Sequence, residues 1–192
     1  MKILRISPDN PEGDKILCAA DFLRDGRVLI YPTDTVYGLG CSIDSPNVER
    51  IFDIKKRGRD MPLSVAFSSI EMVEEYAVVG DEERRFILDN IDEPYTFILE
   101  KKEGIPDVVT AGKDGVGVRI PNHAVVGGFV EKVGVPIITT SANVSGNAPP
   151  ASVDEISDEI KDAVDLVIDS GPCRIGKPSK VIDLRSGKVL RE

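Results

Sequence analysis

Residues 31–41, YPTDTVYGLGC, follow the apolar run Val28-Leu29-Ile30 and hold two threonines, an aspartate and two tyrosines. Hydroxyls at that density beyond a strand can grip a small polar ligand, although the segment lacks the glycine spacing of a phosphate loop. Three other segments carry similar potential. Lys55 and Arg57 belong to KKRGR, four bases in five residues, where Gly58 and Pro62 must stop a helix and both side chains can turn toward one anion. The bland alternative is that these bases complement a helix dipole, worth about 0.3–1 kcal/mol. Arg119 lies in the β-like run GVGVRIP, where a guanidinium is costly unless paired; it can take a carboxylate with two nitrogens or close a structural ion pair. Ser141 and Asn143 in TSANVSG can orient a ligand or simply end a strand through side-chain turns.

Covalent and metal chemistry find little support. Cys18, Cys41 and Cys173 are few, far apart and without a C-x-x-C pair, so reduced thiols are expected. Cys41 is a conceivable nucleophile, but the single histidine, His123, is distant in sequence and is read as a helix-entry residue. One histidine also rules out a histidine-rich metal site, so any metal should arrive with a substrate. The net charge of −9 argues against nucleic-acid binding by the whole surface. Acids cluster in 81–93 and 154–165, which leaves KKRGR as a basic focus suited to a small anion.

Short β-like runs alternate with helical ones and position these residues. Asn10-Pro11 opens a helix that Gly26 closes, Val28–Tyr31 is a buried strand, and Ser45-Pro46 opens a helix ending near Gly58. Leu63–Phe67 is the next strand, with acidic helices at 69–76 and 81–90 and strands at 95–101 and 116–120. A helix at 122–133, a strand at 136–140, a helix opened by the capping box at 152–155, and strands at 164–168 and 180–184 complete the pattern. The expectation is one α/β domain over residues 1–192, with a twisted, mixed, partly open sheet flanked by helices. The YPTDT, PNH and SANVSG segments should then converge beyond the carboxyl ends of parallel strands. No run approaches the roughly 20 apolar residues of a membrane span, and the N-terminus lacks a signal-peptide core, so a cytoplasmic protein without membrane contact is expected.

YPTDTVYGLG, IKKRG-RDMPLSV, VGVRIPNH, TSANVSG and PSKVID, in this order, resemble the YrdC family of threonylcarbamoyl-adenylate synthases, in its stand-alone catalytic form. The resemblance implies a YrdC-like fold and a nucleotidyltransferase that joins L-threonine, bicarbonate and ATP, with Mg²⁺ accompanying ATP and pyrophosphate leaving. The product would pass to a threonylcarbamoyl transferase complex that modifies tRNA, and a weak direct tRNA contact is compatible with that role. The family pattern places Thr33, Thr35, Arg119, Ser141 and Ser179 on the threonine side. It places Lys55, Arg57, Asn143 and Arg191 on the nucleotide side, with Lys55 and Arg57 as the catalytic pair. Met61, Ala66 and Ala151 depart from frequent family residues. A double-stranded RNA-binding module built on Lys55–Arg59 is the rival reading, and a non-catalytic nucleotide or amino-acid sensor a third.

Overall fold

The structure is a computed structural model and describes residues 2–192. In chain order it has β1 (Ile3–Arg5), α1 (Gly13–Arg24), β2 (Leu29–Tyr31), β3 (Gly38–Gly40), α2 (Val48–Lys55), β4 (Ser64–Ala66), α3 (Ile70–Tyr76), β5 (Ala77–Val78) and α4 (Asp81–Asp89). It continues with β6 (Tyr95–Lys101), α5 (Asp107–Thr110), β7 (Gly115–Arg119), α6 (Ala124–Val133), β8 (Ile137–Ser141), α7 (Asp158–Asp162), β9 (Leu166–Asp169), β10 (Lys180–Asp183) and β11 (Lys188–Arg191). The strands form one mixed sheet in the order β1-β9-β2-β3-β8-β4-β7-β6-β10-β11, and β5 adds to β6. No helix among the described residues is long and apolar enough to cross a membrane.

Alternation along β2 and β9 divides the core. Leu29, Tyr31, Leu166 and Ile168 face α1 and α6, whose Ile16, Ala20, Leu23, Val126, Phe129 and Val130 pack on them. Ile30 and Val167 point to the other face, into the larger core of Ile51, Phe52, Val65, Phe67 and Val118. Both strands are buried on both sides, which is why they read as uninterrupted apolar runs.

YGLG owes one glycine to the Tyr31 ring and the other to the backbone of the neighbouring strand. Gly38 lies opposite Tyr31 across the β2–β3 pair, and a Cβ there would meet the ring at 2.7 Å. A Cβ on Gly40 would come within 1.8 Å of the Ile138 carbonyl oxygen. The tyrosine ring thus fills the space that the missing side chain of Gly38 leaves, and its hydroxyl donates to the Ile138 carbonyl beside Gly40 at 3.3 Å.

Two expectations fail. The capping box at 152–155 does not open a helix: the segment makes one 3-10 turn over Val153–Glu155, Ser152 caps nothing, and Glu155 instead accepts the Ala151 amide at 2.7 Å. The convergence of three parallel strand ends also fails. β2 and β8 run alike, each antiparallel to β3, but β7 is parallel to β4, which is antiparallel to β8. Arg119 therefore leaves its strand at the opposite end from Ser141.

Candidate functional site

Those distant residues still meet, because the site spreads across a face of the sheet. On the face that carries Tyr31, Ile137 and Ala66, α1 and α6 cover only part of the surface. The register continues that face through Gly38 opposite Ser141, Thr139 opposite Ser64, and Ser64 opposite Gly117. These positions carry hydroxyls or hydrogen in place of large apolar groups, so no helix seals them. The result is a crevice with about 670 Å³ of empty space, part of it open to solvent, floored by Gly38, Ser64, Thr96, Thr139 and Ser141.

One wall is the turn after β2. The Thr33 hydroxyl donates to the Val36 carbonyl at 2.7 Å and accepts the Thr35 and Val36 amides at 3.1 and 3.2 Å, which winds the chain tightly. Thr33 lines the crevice; Thr35 is fully buried behind it, 3.0 Å from the Thr33 hydroxyl. Between them, Asp34 is buried and accepts Nη2 of Arg119 at 2.7 Å. Arg119 therefore closes a structural ion pair, as one of its two readings has it, and also lines the crevice. Asp34 escaped the sequence reading, although a guanidinium inside an apolar strand called for an acid partner.

The second wall is the segment after β9. Its Ile175 and Gly176 amides donate to the Asp34 and Thr35 carbonyls at 3.0 and 2.9 Å, docking it on the first wall. This brings in Ser179, whose hydroxyl lies 2.7 Å from that of Thr96. Arg191, from β11, donates to the Ser179 carbonyl through Nε and Nη2 at 2.8 and 2.6 Å, and to its hydroxyl at 3.1 Å.

The third wall is the exit of α2, where Lys56 takes the left-handed conformation at φ 50° and turns the chain. Arg57 then lines the crevice, anchored on the Met61 and Pro62 carbonyls at 3.3 and 2.8 Å. Lys55 does not line it. The expectation that both side chains turn toward one anion fails for Lys55, which is 1 % exposed. Its ammonium donates to the carbonyls of Ser141 and Asn143, the latter at 2.9 Å, while its own carbonyl accepts the Ser145 amide at 2.8 Å. Burial first, and Arg57 second, lower its pKa to about 8. Asn143 likewise serves its own turn, donating to the Asn147 carbonyl at 2.7 Å.

Charge in the crevice is positive although the chain is acidic. Arg57 and Arg191 each have a lowered pKa, through burial first and then through the neighbouring arginine, Arg191 and Arg119 respectively. The exposed bases of KKRGR are neutralised: Lys56 pairs with Glu159 at 2.6 Å, and Arg59 with Glu49 and Asp53 at 3.2 Å each. Nucleophiles are poor. Burial pushes the Cys41 thiol up to about 12 and Cys173 to about 11, and lowers the His123 pKa. Among the described residues no group of three or more His, Cys, Asp or Glu could hold a metal ion. The arrangement can bind anions beside hydroxyls and hold them still; its lining carries no cysteine, and no histidine to activate a hydroxyl.

The Sua5/YciO/YrdC family, described as "Telomere recombination", matches residues 21–192. A Methanocaldococcus jannaschii protein, provisionally named a threonylcarbamoyl-AMP synthase, is 38% identical over 194 residues, covering 98% of this chain and 90% of that one. The threonylcarbamoyl-AMP synthase of Shigella boydii serotype 4 is 31% identical over 188 residues, covering 96% and 98%. The crystal structure of P. abyssi Sua5 complexed with L-threonine superposes with a TM-score of 0.90 at 37% identity, over 96% of this chain and 55% of that longer one. With near-complete coverage of two curated relatives and agreement of the fold, the chain belongs to the Sua5/YciO/YrdC family.

Proposed function

We propose that the chain makes L-threonylcarbamoyl-adenylate from L-threonine, bicarbonate and ATP, releasing pyrophosphate. The observation that carries this reading is the crevice itself: Arg57, Arg119 and Arg191 come from three separate segments onto one hydroxyl-rich floor. The carbamate formed on threonine's nitrogen attacks the α-phosphorus of ATP through an oxygen, and both reactants are anions. At 4 Å and an effective dielectric near 20, two like unit charges repel by about 4 kcal/mol, which a positive crevice offsets. No protein nucleophile is needed, in keeping with the raised thiol pKa values.

In this reading Arg119 and Ser179 receive the threonine carboxylate, and Thr33 and Ser141 face its hydroxyl and amine side. Thr35 supports Thr33 from behind. Arg57 and Arg191 take phosphate oxygens, whereas Lys55 and Asn143 act through the turn they hold. Magnesium would come with the triphosphate and neutralise its charge; no acid cluster for it lies among the described residues. The product is an activated carbamoyl donor for a transferase that acts on tRNA. The RNA-module reading is weakened by the ion pairs that neutralise Lys56 and Arg59.

The test is pyrophosphate release in CO₂-depleted buffer with added threonine, bicarbonate, both or neither, with mass detection of the adenylate and chelation of Mg²⁺ as a control. Release that needs both substrates and stops on chelation is expected. Release with threonine alone would identify a conventional amino-acid adenylating enzyme, and no release in any combination would reject catalysis.

A further inference from the structure

The three crevice arginines are not equivalent. Arg119 donates to Asp34, and the side chains of this pair are only 10% and 2% exposed. Arg57 and Arg191 donate only to carbonyls and to the Ser179 hydroxyl. Asp60, which favours the charged form of Arg57, is exposed and makes no ion pair with it. The crevice thus has, at Arg119, a cation matched by a buried anion and, toward Arg57 and its neighbour Arg191, two cations that make no ion pair among the described residues.

A buried ion pair is seldom a net source of stability, since an apolar pair of the same shape often does as well. From this asymmetry we infer that Asp34 is a selectivity residue that sorts the two anionic substrates between the ends of the crevice. With Asp34 ionised, Arg119 keeps nitrogens free for a carboxylate but presents little net charge, so it suits the monoanionic end of an amino-acid zwitterion. The Arg57–Arg191 end keeps its full charge and suits a polyphosphate. Without Asp34 both ends would attract phosphate, and ATP or released pyrophosphate would compete for threonine's place. This inference rests on the proposed function for the names of the substrates, but the charge asymmetry stands without it.

Sulfate is the probe, a dianion that mimics phosphate. In the wild-type chain sulfate should inhibit pyrophosphate release competitively against ATP and not against threonine. Asp34→Asn keeps an oxygen to accept from Arg119 while removing the charge. In that variant sulfate should become competitive against threonine as well, with its inhibition constant against threonine at least tenfold lower than in the wild type. A residue that merely held the fold would lose affinity for everything on mutation, and a gain of anion affinity separates the two roles. Calorimetry with sulfate alone needs no turnover and should detect one added or strengthened site in Asp34→Asn; this arm decides the inference even if the proposed reaction is absent. An unchanged sulfate isotherm would overturn it. So would wild-type sulfate inhibition that is equally competitive against threonine and ATP, a result obtained even if Asp34→Asn fails to fold.

Discussion

Replacing Lys55 by methionine tests whether a buried ammonium holds the turn after β8. The amine is 1 % exposed, and burial together with Arg57 lowers its pKa from 10.5 to about 8. At about 1.4 kcal/mol for each tenfold change in proton affinity, keeping it charged costs the folded chain about 3 kcal/mol at neutral pH. The folded chain releases this proton near pH 8, whereas the unfolded chain keeps it until about 10.5, so the unfolded state binds more protons across that window. Stability therefore rises with pH from about 8 to about 10.5 as the penalty disappears. Lys55→Met carries no such group. Its own cost is the loss of donors to the Ser141 and Asn143 carbonyls, about 1–3 kcal/mol for each, and this does not vary with pH. Urea unfolding at pH 7 and pH 10.5 should show the wild type gaining about 3 kcal/mol relative to the variant, with every other lysine cancelling in the difference. A difference constant to within about 1 kcal/mol would refute the reasoning, since it would mean that Lys55 titrates like a lysine in water.

Arg57→Ala should cut pyrophosphate release at least a hundredfold with unfolding free energy changed by no more than about 1 kcal/mol, because the side chain reaches only two turn carbonyls besides the crevice. Gly40→Ala should fail to fold or lose more than about 3 kcal/mol in thermal unfolding, because its Cβ would lie 1.8 Å from the Ile138 oxygen in the neighbouring strand. Cys41→Ala should keep its activity and show no mass adduct on intact-protein analysis, since the thiol is fully buried and its pKa is pushed up to about 12. Valine should be used at least a thousandfold less well than threonine in initial-rate assays, because hydroxyl-binding groups are left unpaired; about 100-fold or less would point to shape selection alone.

The elements most legible in the sequence were those whose side chains announce their surroundings. β2 and β9 are buried on both faces and read as apolar runs, and α1 shows its stripe through Ile16, Ala20 and Leu23. β3 was illegible: Gly-Leu-Gly has no strand-forming pattern, and its bare positions make room for the Tyr31 ring at Gly38 and the Ile138 carbonyl at Gly40. β11 is exposed along its whole length, so no periodicity marks it, yet it delivers Arg191. The direction of β7 could not be read because pairing is set by tertiary contacts, and that direction moved the site from the strand ends to the sheet face. Of the expected site residues, Thr33, Arg57, Arg119, Ser141, Ser179 and Arg191 reach the crevice. Thr35, Lys55 and Asn143 stand behind it, because a side chain bonded to local backbone leaves the same sequence signal as one aimed at a ligand.

The half-covered sheet face also explains why a protein with an ample apolar core leaves hydroxyls at its centre. On the face shared with α1 and α6, β8 begins with buried Ile137 under the helices and continues through Thr139 to Ser141 on the crevice floor. One strand therefore serves core and site in turn, with the change of residue type falling where the helices end. A bulkier side chain at Ser64 or a Cβ at Gly117 would crowd the floor, since that Cβ would already lie 2.9 Å from the Ser64 hydroxyl. Larger apolar residues there would bury more surface at about 25 cal/mol per Å² and would fill the crevice in the same stroke. Keeping the floor small and polar is what lets rigid strands hold Arg119, Ser141 and Thr96 in fixed relation around an open space. Chemistry that proceeds by positioning and charge alone needs that rigidity more than it needs any reactive side chain.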